Sequence, residues 1–433
     1  MRIAALKSLM VGLFAVAAAS ASAAPDGDIT YTVKQDDTLY GLAGEYLANR
    51  SDANEIRRIN RVRNPRLMQV GTTLKIPRRL LKYRPVNLVL QSFSGAVQLN
   101  LGRRVINPSI GLSLREGVEI ATGRNSFVSI AGDGNSKVSI PSNSRARIID
   151  ARRYLINNQI DIQLRVLRGR GEVVAPKIDG EGRYRVGTPL VVTAVRGTEF
   201  RVGFDPDSDL SLTEVVEGDV NVATGEREVP TGAGFGVASA GDTLGETEQL
   251  LPAPELVEPG RIQTEEALTF AIEPLTGAAG YRTQIARDAG FIEVVTESID
   301  ETIEAEFEPL EDGRYFVRSR AISGVGLEGL SKVYSFRRKR VGVAASAEPA
   351  AFADAFKFAW RTEGAGDVTH AFQMWRSDNP GELLVDEVGM SNTAVLISSL
   401  EPGTYQWKVA SFQIDEGDVI KVWGPVQELT VSE

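Results

Sequence analysis

The stretch that decides the fold of the N-terminal region is YTVKQDDTLYGLAGEYL, residues 31 to 47. Its first part alternates, with Tyr31 and Val33 apolar and their neighbours polar, which is typical of a short strand. From Leu39 onward the apolar residues recur at helical spacing, at Leu39, Leu42, Ala43, Tyr46 and Leu47. The pattern predicts a strand that meets a helix N-terminus, where Asp37 or Thr38 caps the first free amides.

A second helix and a closing strand are predicted further along. Ile56, Ile59 and Val62 are apolar among arginines and follow helical spacing. The segment NPRLMQVGTTLKIP, residues 64 to 77, contains a turn at Gly71 and a strand from Leu74 to Ile76. The predicted order over residues 28–78 is therefore β-α-α-β.

This order and these residues resemble the LysM module. The matching motif residues are Asp37, Thr38 and Leu39 in the first half, then Asn64, Leu67, Val70, Gly71, Leu74, Ile76 and Pro77 in the second. The resemblance implies binding of polymers that contain N-acetylglucosamine, which are peptidoglycan in bacteria and chitin elsewhere.

The resemblance also implies a shallow groove with two walls. By position, Asp37, Thr38 and Leu39 form one wall, and Arg66, Leu67 and Met68 form the other. The alternative is that Leu39 and Leu67 belong only to the core and that Asp37 is only a helix cap. The sequence leaves open whether such a groove prefers naked or peptide-substituted glycan.

The first residues predict the compartment. Arg2 and Lys7 precede an apolar run over residues 8–18, which is followed by the small residues Ala21, Ser22 and Ala23. This pattern is typical of a secretory signal peptide, here residues 1–23, and the run is shorter than the ~20 residues of a transmembrane helix. The chain has no cysteine, which excludes a lipoprotein anchor and disulfide bonds. We expect an exported periplasmic protein with no transmembrane segment.

Charge is distributed unevenly along the chain, whose formal net charge is -9. Residues 28–84 contain twelve Lys and Arg against six Asp and Glu, a net of +6, so the remainder is strongly acidic. We expect the basic head to touch an anionic polymer of the cell wall, with no nucleic acid as a partner. The alternative is an arginine-rich helix face that is simply solvated.

The middle of the chain, residues 86–248, predicts an all-β domain. Residues 125–148 predict a hairpin that turns at the glycines around Asp133. Further along, Phe200, Val202 and Phe204 share one face of a strand, and we expect that one face to be buried. The alternating carboxylates of DPDSD, residues 205–209, lack the Gly and Glu of a calcium loop, so a solvated hairpin tip is expected there.

Three blocks of this region resemble the FecR domain of Gram-negative envelope proteins. They are TG-NS within residues 122–126, VRGTEFRV at residues 195–202 and VVEGDVNV at residues 215–222. The resemblance implies a stack or sandwich of strands used for protein contact, and no chemistry. Members in iron uptake relay signals across the inner membrane, which the predicted cleaved leader does not support for this chain.

The last part of the chain repeats itself weakly. Residues 255–340 and 346–433 align over EPLEDGRYFVRSRAIS at 308–323 and SLEPGTYQWKVASFQ at 399–413, and both copies resemble fibronectin type III sandwiches. Trp360 and Trp407 are expected in the core of the second copy, although a sugar-stacking platform of tryptophans is an alternative. The segment RRKR, residues 337–340, is expected to be a solvated linker.

No active site is predicted. His370 is the only histidine and there is no cysteine, so Cys-His catalysis and a histidine-rich zinc site are excluded, and no nucleophile-elbow motif accompanies a serine. We expect no cofactor, no metal and no enzyme activity, although carboxylate pairs are invisible in sequence.

The fold class expected is multi-domain and mainly β, with a small βααβ module, an all-β FecR-like domain and two β-sandwich domains. The expected function is non-catalytic: the module binds peptidoglycan and tethers the β modules, which contact envelope proteins. A regulatory protein that signals through a membrane partner and a peptidoglycan hydrolase are the alternatives.

Overall fold

The computed structural model describes residues 27–178, 180–195, 197–351, 354–364 and 366–432. The predicted signal peptide, residues 1–23, lies outside the described residues. The described chain is mainly β, as predicted, and its α-helices are confined to the N-terminal module. Within this part of the chain, no helix is long and apolar enough to cross a membrane.

The N-terminal module has the predicted β-α-α-β order. Its elements are β1 (Asp28–Thr32), α1 (Leu39–Tyr46), α2 (Ala53–Ile59) and β2 (Thr73–Pro77), with 3₁₀ turns at Arg50–Asp52 and Arg78–Leu80. The two strands pair antiparallel, with Tyr31 opposite Leu74. The apolar faces of the helices pack on this pair, because Leu39, Leu42 and Ile56 are all buried in one core cluster with Ile29.

The middle of the chain forms one closed sheet system around a large aliphatic core. Its strands are β3 (Tyr83–Pro85), β4 (Leu88–Ser94), β5 (Val97–Leu101), β6 (Arg104–Ile106), β7 (Ser113–Leu114), β8 (Val118–Thr122), β9 (Phe127–Ala131), β10 (Lys137–Ile140), β11 (Arg145–Tyr154), β12 (Ile160–Val174), β13 (Arg183–Gly187), β14 (Val192–Val195), β15 (Glu199–Asp205), β16 (Leu210–Glu217), β17 (Asp219–Thr224), β18 (Arg227–Gly232), β19 (Phe235–Ala240) and β20 (Thr243–Gln249). A 3₁₀ turn at Asp133–Asn135 closes the predicted β9–β10 hairpin. The long strand β12 joins the two halves, because it pairs with β11 at one end and with β15 at the other.

Two β-sandwich units follow, each made of two sheets. The strands of the first are β21 (Leu268–Ala271), β22 (Ala278–Ala286), β23 (Val294–Asp300), β24 (Glu304–Phe307), β25 (Gly313–Ser323) and β26 (Lys332–Arg338). The strands of the second are β27 (Gly342–Pro349), β28 (Ala355–Glu363), β29 (Val368–Arg376), β30 (Asn379–Met390), β31 (Ala394–Ser398), β32 (Gly403–Asp415), β33 (Asp418–Trp423) and β34 (Gln427–Val431). The sheet orders β23-β22-β25-β26 and β30-β29-β32-β33 follow one pattern, in which the first of the four strands in sequence lies between the second and the third. This shared order agrees with the weak internal repeat.

The N-terminal module is fixed to the closed sheet by polar contacts and by the burial of one tyrosine of the sheet. Arg78 is 3% exposed; its guanidinium lies 3.7 Å from the Asp161 carboxylate and over the ring of Tyr154. The Glu181 carboxylate accepts a hydrogen bond from the backbone amide of Thr30, at 2.9 Å. Tyr154 belongs to the core of the module although it lies on β11. These contacts hold the module in place on the closed sheet. Only a few residues connect the module to β3.

A second interface joins the closed sheet to the first sandwich and corrects the expectation of one buried face. Phe200, Val202 and Phe204 are buried as predicted, but Arg201 on the opposite face is also only 3% exposed. The reason is that Arg201 Nη2 donates to the carbonyl oxygens of Glu328 and Gly329, at 2.6 and 2.8 Å. The sandwich thus covers the outer face of β15.

This interface has an ionic centre and apolar ends. Glu172 of β12 lies 2.9 Å from Arg318 and 2.7 Å from Arg320, both on β25. Burial by itself would raise the pKa of the Glu172 carboxyl, but the two guanidinium groups hold that pKa well below its usual value. Apolar clusters also bridge the interface: Phe127 and Phe291 belong to one, and Leu212 and Leu327 belong to another.

The expectation of a solvated linker at residues 337–340 is wrong. Arg338 is fully buried, and its guanidinium donates to backbone carbonyl oxygens, among them that of Gln263 at 3.2 Å and that of Glu266 at 3.0 Å. Lys339 pairs with Asp312 at 3.0 Å. Composition alone indicates that a run of four basic residues is exposed to solvent. Here the carbonyl groups of a preceding loop accept hydrogen bonds from the buried guanidinium of Arg338.

Candidate functional site

Two segments of the N-terminal module, residues 36–41 and 64–70, meet at the surface. The backbone amide of Leu39 donates to the carbonyl oxygen of Pro65 at 2.8 Å, which joins them directly. Val33 and Gly71 are joined by a hydrogen bond of 2.8 Å from the glycine amide, and Gly71 has φ +85°, which glycine adopts without strain. The chain thereby brings together the two halves of the motif that sequence reasoning assigned to opposite walls.

The first wall is built around the cap of α1. Thr38 is the N-cap, and its hydroxyl oxygen accepts from the amide of Gly41 at 2.9 Å. The Asp37 carboxylate accepts from the Lys34 amide at 2.7 Å and from the Tyr31 hydroxyl at 2.9 Å. Burial and this carboxylate together raise the pKa of Tyr31. Both predicted polar wall residues therefore hold the strand-to-helix turn in shape.

Leu39, the third predicted residue of this wall, points into the core. Its side chain is only 2% exposed and packs in the same cluster as Leu42 and Ile56. The side chain therefore has no surface to offer a ligand. Leu39 contributes to this site through its backbone amide, which donates a hydrogen bond to Pro65 and so holds the second segment.

The second wall is more exposed. Leu67 is 77% exposed and Arg66 is also exposed, whereas Met68 is partly buried against the module core. Asn64 shapes this wall, because its side-chain oxygen accepts from the Arg66 amide at 3.0 Å and its carbonyl oxygen accepts from the Leu67 amide at 3.3 Å. A tight turn therefore presents Leu67 to solvent.

Two further exposed apolar residues lie on the same segments but were not predicted as wall residues. Tyr40 is 50% exposed and Val70 is 60% exposed. The signal for Tyr40 was present, because it falls outside the apolar stripe of α1 that begins at Leu39. With Leu67 they give the two segments an exposed apolar surface, which suits contact with the apolar faces of sugar rings.

The histidine and the carboxylate run that the sequence offered as candidate functional groups both have structural roles. His370 is buried, and its ring nitrogens contact Thr362 Oγ1 at 2.8 Å and the Met390 carbonyl oxygen at 3.3 Å. Burial lowers the pKa of His370. The carboxylates of residues 205–209 form a hairpin tip between β15 and β16, in which Asp205 accepts from the Ser208 hydroxyl at 2.6 Å.

Two of the four tryptophans lie in the core, as predicted. Trp360 and Trp407 are 6% and 0% exposed and belong to the core of the second sandwich. On the outer face, Trp375 is only 9% exposed, and the Lys408 ammonium lies 4.4 Å from the ring centroid of Trp423. These contacts leave little open indole face for a sugar.

Two family models match this chain. Residues 31–77 match the LysM domain, and residues 118–221 match the FecR protein family. The chain therefore contains a LysM domain followed by a FecR domain, as the sequence motifs predicted. Families of these two kinds are typically non-catalytic binding or regulatory domains.

Solved structures with similarity to parts of the chain fall into two groups. A "putative anti-sigma factor" from Parabacteroides distasonis ATCC 8503 shares 16% identity, covering 30% of this chain and 58% of that chain, with a TM-score of 0.25. The FN1-FN3 domains of chicken CNTN1 share 13% identity over 56% of this chain and 95% of that one, with a TM-score of 0.22. A two-domain fibronectin type III segment of chicken tenascin shares 13% identity over 42% of this chain and 100% of that one, with a TM-score of 0.21. No curated protein matches the chain.

Proposed function

We propose that this chain, with its LysM and FecR domains, is a non-catalytic peptidoglycan-binding protein of the periplasm of a Gram-negative cell. The observation that carries the proposal is the junction of residues 36–41 and 64–70, where Leu67, Tyr40 and Val70 are exposed on two segments joined by a backbone hydrogen bond. We take this junction as the binding groove. Exposed apolar residues on a rigid turn offer a stacking surface for N-acetylglucosamine rings. In this proposal Asp37, Thr38 and the backbone of Leu39 shape one wall, and Arg66, Leu67 and Met68 form the other.

The tethering part of the proposal rests on the two interfaces. Arg78 holds the LysM domain on the closed sheet, and Glu172 with its two arginines holds the first sandwich on the same sheet. A glycan bound in the groove would then be fixed in orientation relative to both. The surfaces that these contacts leave open are available to envelope proteins.

A single substitution in the groove tests the proposal. Leu67→Asp should leave the fold intact, because the side chain is 77% exposed, and should weaken binding to purified sacculi by about tenfold to a hundredfold. The loss comes from replacing apolar contact with a charge that must be desolvated. Ile110→Asp is the matched control, since Ile110 is 73% exposed in the segment between β6 and β7, outside the LysM domain.

The measurement is co-sedimentation of the full mature chain with sacculi over a range of protein concentrations. Unchanged binding by the Leu67→Asp variant, or an equal loss in the Ile110→Asp variant, would contradict the groove assignment. Release of soluble muropeptides during the same incubation would show hydrolase activity instead.

A regulatory function is the second candidate, and the match of residues 118–221 to the FecR family favours it. In that case the closed sheet passes an envelope signal to a membrane partner. Crosslinking in cells distinguishes the two: recovery of one membrane protein, with altered transcription when the chain is deleted, would support regulation.

A further inference from the structure

A cavity of about 580 Å³ lies between the closed sheet and the first sandwich, beside the ionic centre of their interface. Its lining comes from β10, β12, β15 and β16 of the sheet, and from β25 and residues 289–290 and 330–333 of the sandwich. Glu199, Ala289 and Val333 of this lining are exposed, so the cavity opens to solvent. Its size falls within the range of sites that hold small organic ligands.

The wall of this cavity carries more positive than negative charge. Its cations are Lys137, Arg201, Arg318 and Arg320, and its carboxylates are Glu172 and Glu199. Glu172 pairs with Arg318 and Arg320, as described above. Among the described residues, neither carboxylate of the wall forms an ion pair with Arg201 or Lys137. The excess positive charge therefore lies at these two side chains.

Arg201 is buried with little to neutralise it. It is 3% exposed, and the carboxylate that pairs with it, that of Glu214, lies 3.6 Å from Nε. Nη2 donates to two uncharged backbone carbonyl oxygens, and Nε has no hydrogen-bond acceptor within the described part of the chain. Buried donors of native proteins nearly always have an acceptor, so this arginine requires an explanation.

The electrostatics of the wall agree with this geometry. Burial lowers the pKa of Arg201 and of Lys137. Burial and the neighbouring Arg320 guanidinium lower the pKa of Arg318 to about 10. Arg320 differs, because Glu172 at 2.7 Å and Glu328 at 3.0 Å raise its pKa in spite of burial. The folded interface thus disfavours three of the four positive charges, and an anion in the cavity would offset that cost.

Other contacts of these cations are with neutral groups. The Lys137 ammonium donates to the Gly290 carbonyl oxygen at 2.5 Å, and Arg318 Nη2 donates to the Gln284 side-chain oxygen at 2.7 Å. Such contacts position the side chains without balancing their charge. Asp288, a further acid near Lys137, accepts hydrogen bonds from backbone amides of residues 292 and 293.

We infer that this cavity binds a small organic anion, whose carboxylate or phosphate group lies among Arg201, Arg318 and Lys137. Guanidinium and ammonium groups suit oxyanions, because charge-assisted hydrogen bonds are the strongest of their kind. The partly exposed side chains of Leu330 and Val333 line the same cavity and suit the carbon part of such a ligand. Because sheet and sandwich both line the cavity, the bound anion also holds them together.

Isothermal titration calorimetry of the full mature chain at low ionic strength tests the inference. The probes are hexanoate and hexyl phosphate, which share an apolar tail and differ in the anionic group, and neutral hexanol. We expect at least one of the two anions to bind with a Kd below about 1 mM, and hexanol to bind at least about tenfold more weakly. The anion that binds more tightly identifies the preferred head group.

Two variants place the anion in this cavity. Lys137→Gln keeps a donor for the Gly290 carbonyl oxygen and removes the charge, so anion affinity should fall about tenfold. Val333→Asp adds a negative charge to the lining at a side chain that is 42% exposed, and should weaken anion binding by a similar factor. The matched control is Val257→Asp, because Val257 is 43% exposed and lies outside the lining. This control should bind as the unmodified chain does.

Circular dichroism and amide exchange of β25 check that each variant keeps its fold and its interface. Three results would overturn the inference. Hexanol that bound as tightly as both anions would show that the cavity does not select charge. Equal anion affinity in the unmodified chain and in both cavity variants would place the anion elsewhere. A failure of both anions to bind would overturn the inference and leave the glycan proposal unaffected, because the LysM groove is a separate site.

Discussion

Replacing Glu328 by glutamine is expected to cost about 3–5 kcal/mol of the free energy that holds the first sandwich on the FecR-containing sheet. Glu328 is 1% exposed and lies 2.9 Å from Arg170, 2.8 Å from Arg282 and 3.0 Å from Arg320. Burial alone would raise the pKa of Glu328, but these guanidinium groups hold that pKa well below its usual value. Glutamine keeps the volume and removes the charge, so three buried guanidinium groups each lose one carboxylate partner. They keep only Glu214, Glu297 and Glu172, one for each arginine.

Hydrogen–deuterium exchange of the amides of β25 under native conditions measures this loss. The control is Glu255→Gln, because Glu255 pairs with Lys332 at 3.0 Å at the surface, where solvent screens the pair and it contributes little. Equal amide exchange rates of β25 in the two variants would show that the ionic centre does not hold the interface together.

Replacing Leu39 by aspartate is expected to unfold the LysM domain, at a cost of about 4 kcal/mol or more. The side chain is 2% exposed and packs in an apolar cluster, so the variant loses core packing and buries a carboxylate among apolar side chains. Glycan binding should vanish together with the fold. Leu67→Asp makes the same chemical change at an exposed position and should leave the fold unaffected.

Circular dichroism and exchange protection of α1 check this prediction. The Leu39→Asp variant should lose protection of α1, and the Leu67→Asp variant should keep it. Retention of a folded domain in the Leu39→Asp variant would mean that Leu39 is a surface residue, as one interpretation of the sequence had it.

Local patterns predicted the LysM domain well because its fold depends on neighbouring residues. The alternation ending at Val33, the cap at Thr38 and the turn at Gly71 each act within a few residues, and each is found where the pattern indicates it. The same patterns could not separate Leu39 from Leu67, since both are apolar residues of one motif. Their exposure depends on how the second segment folds over the first.

Long-range contacts explain what the sequence did not reveal. Alternation along β15 identifies an apolar and a polar face, but Arg201 is buried by backbone carbonyls that lie 127 and 128 residues further along the chain. Arg338 is likewise buried by a loop more than seventy residues before it. Polar residues that are buried by a distant part of the chain look solvated in sequence, because their partners are backbone atoms without a sequence signature.

We propose that residues 36–41 and 64–70 bind the glycan. Hydrogen–deuterium exchange of the full mature chain, with and without soluble peptidoglycan fragments, tests it most directly. If these segments bind the glycan, exchange should slow at both of them and stay unchanged across the second sandwich, including the strands that carry Trp375 and Trp423. Unchanged exchange in both segments at saturating ligand, or protection confined to that sandwich, would contradict it.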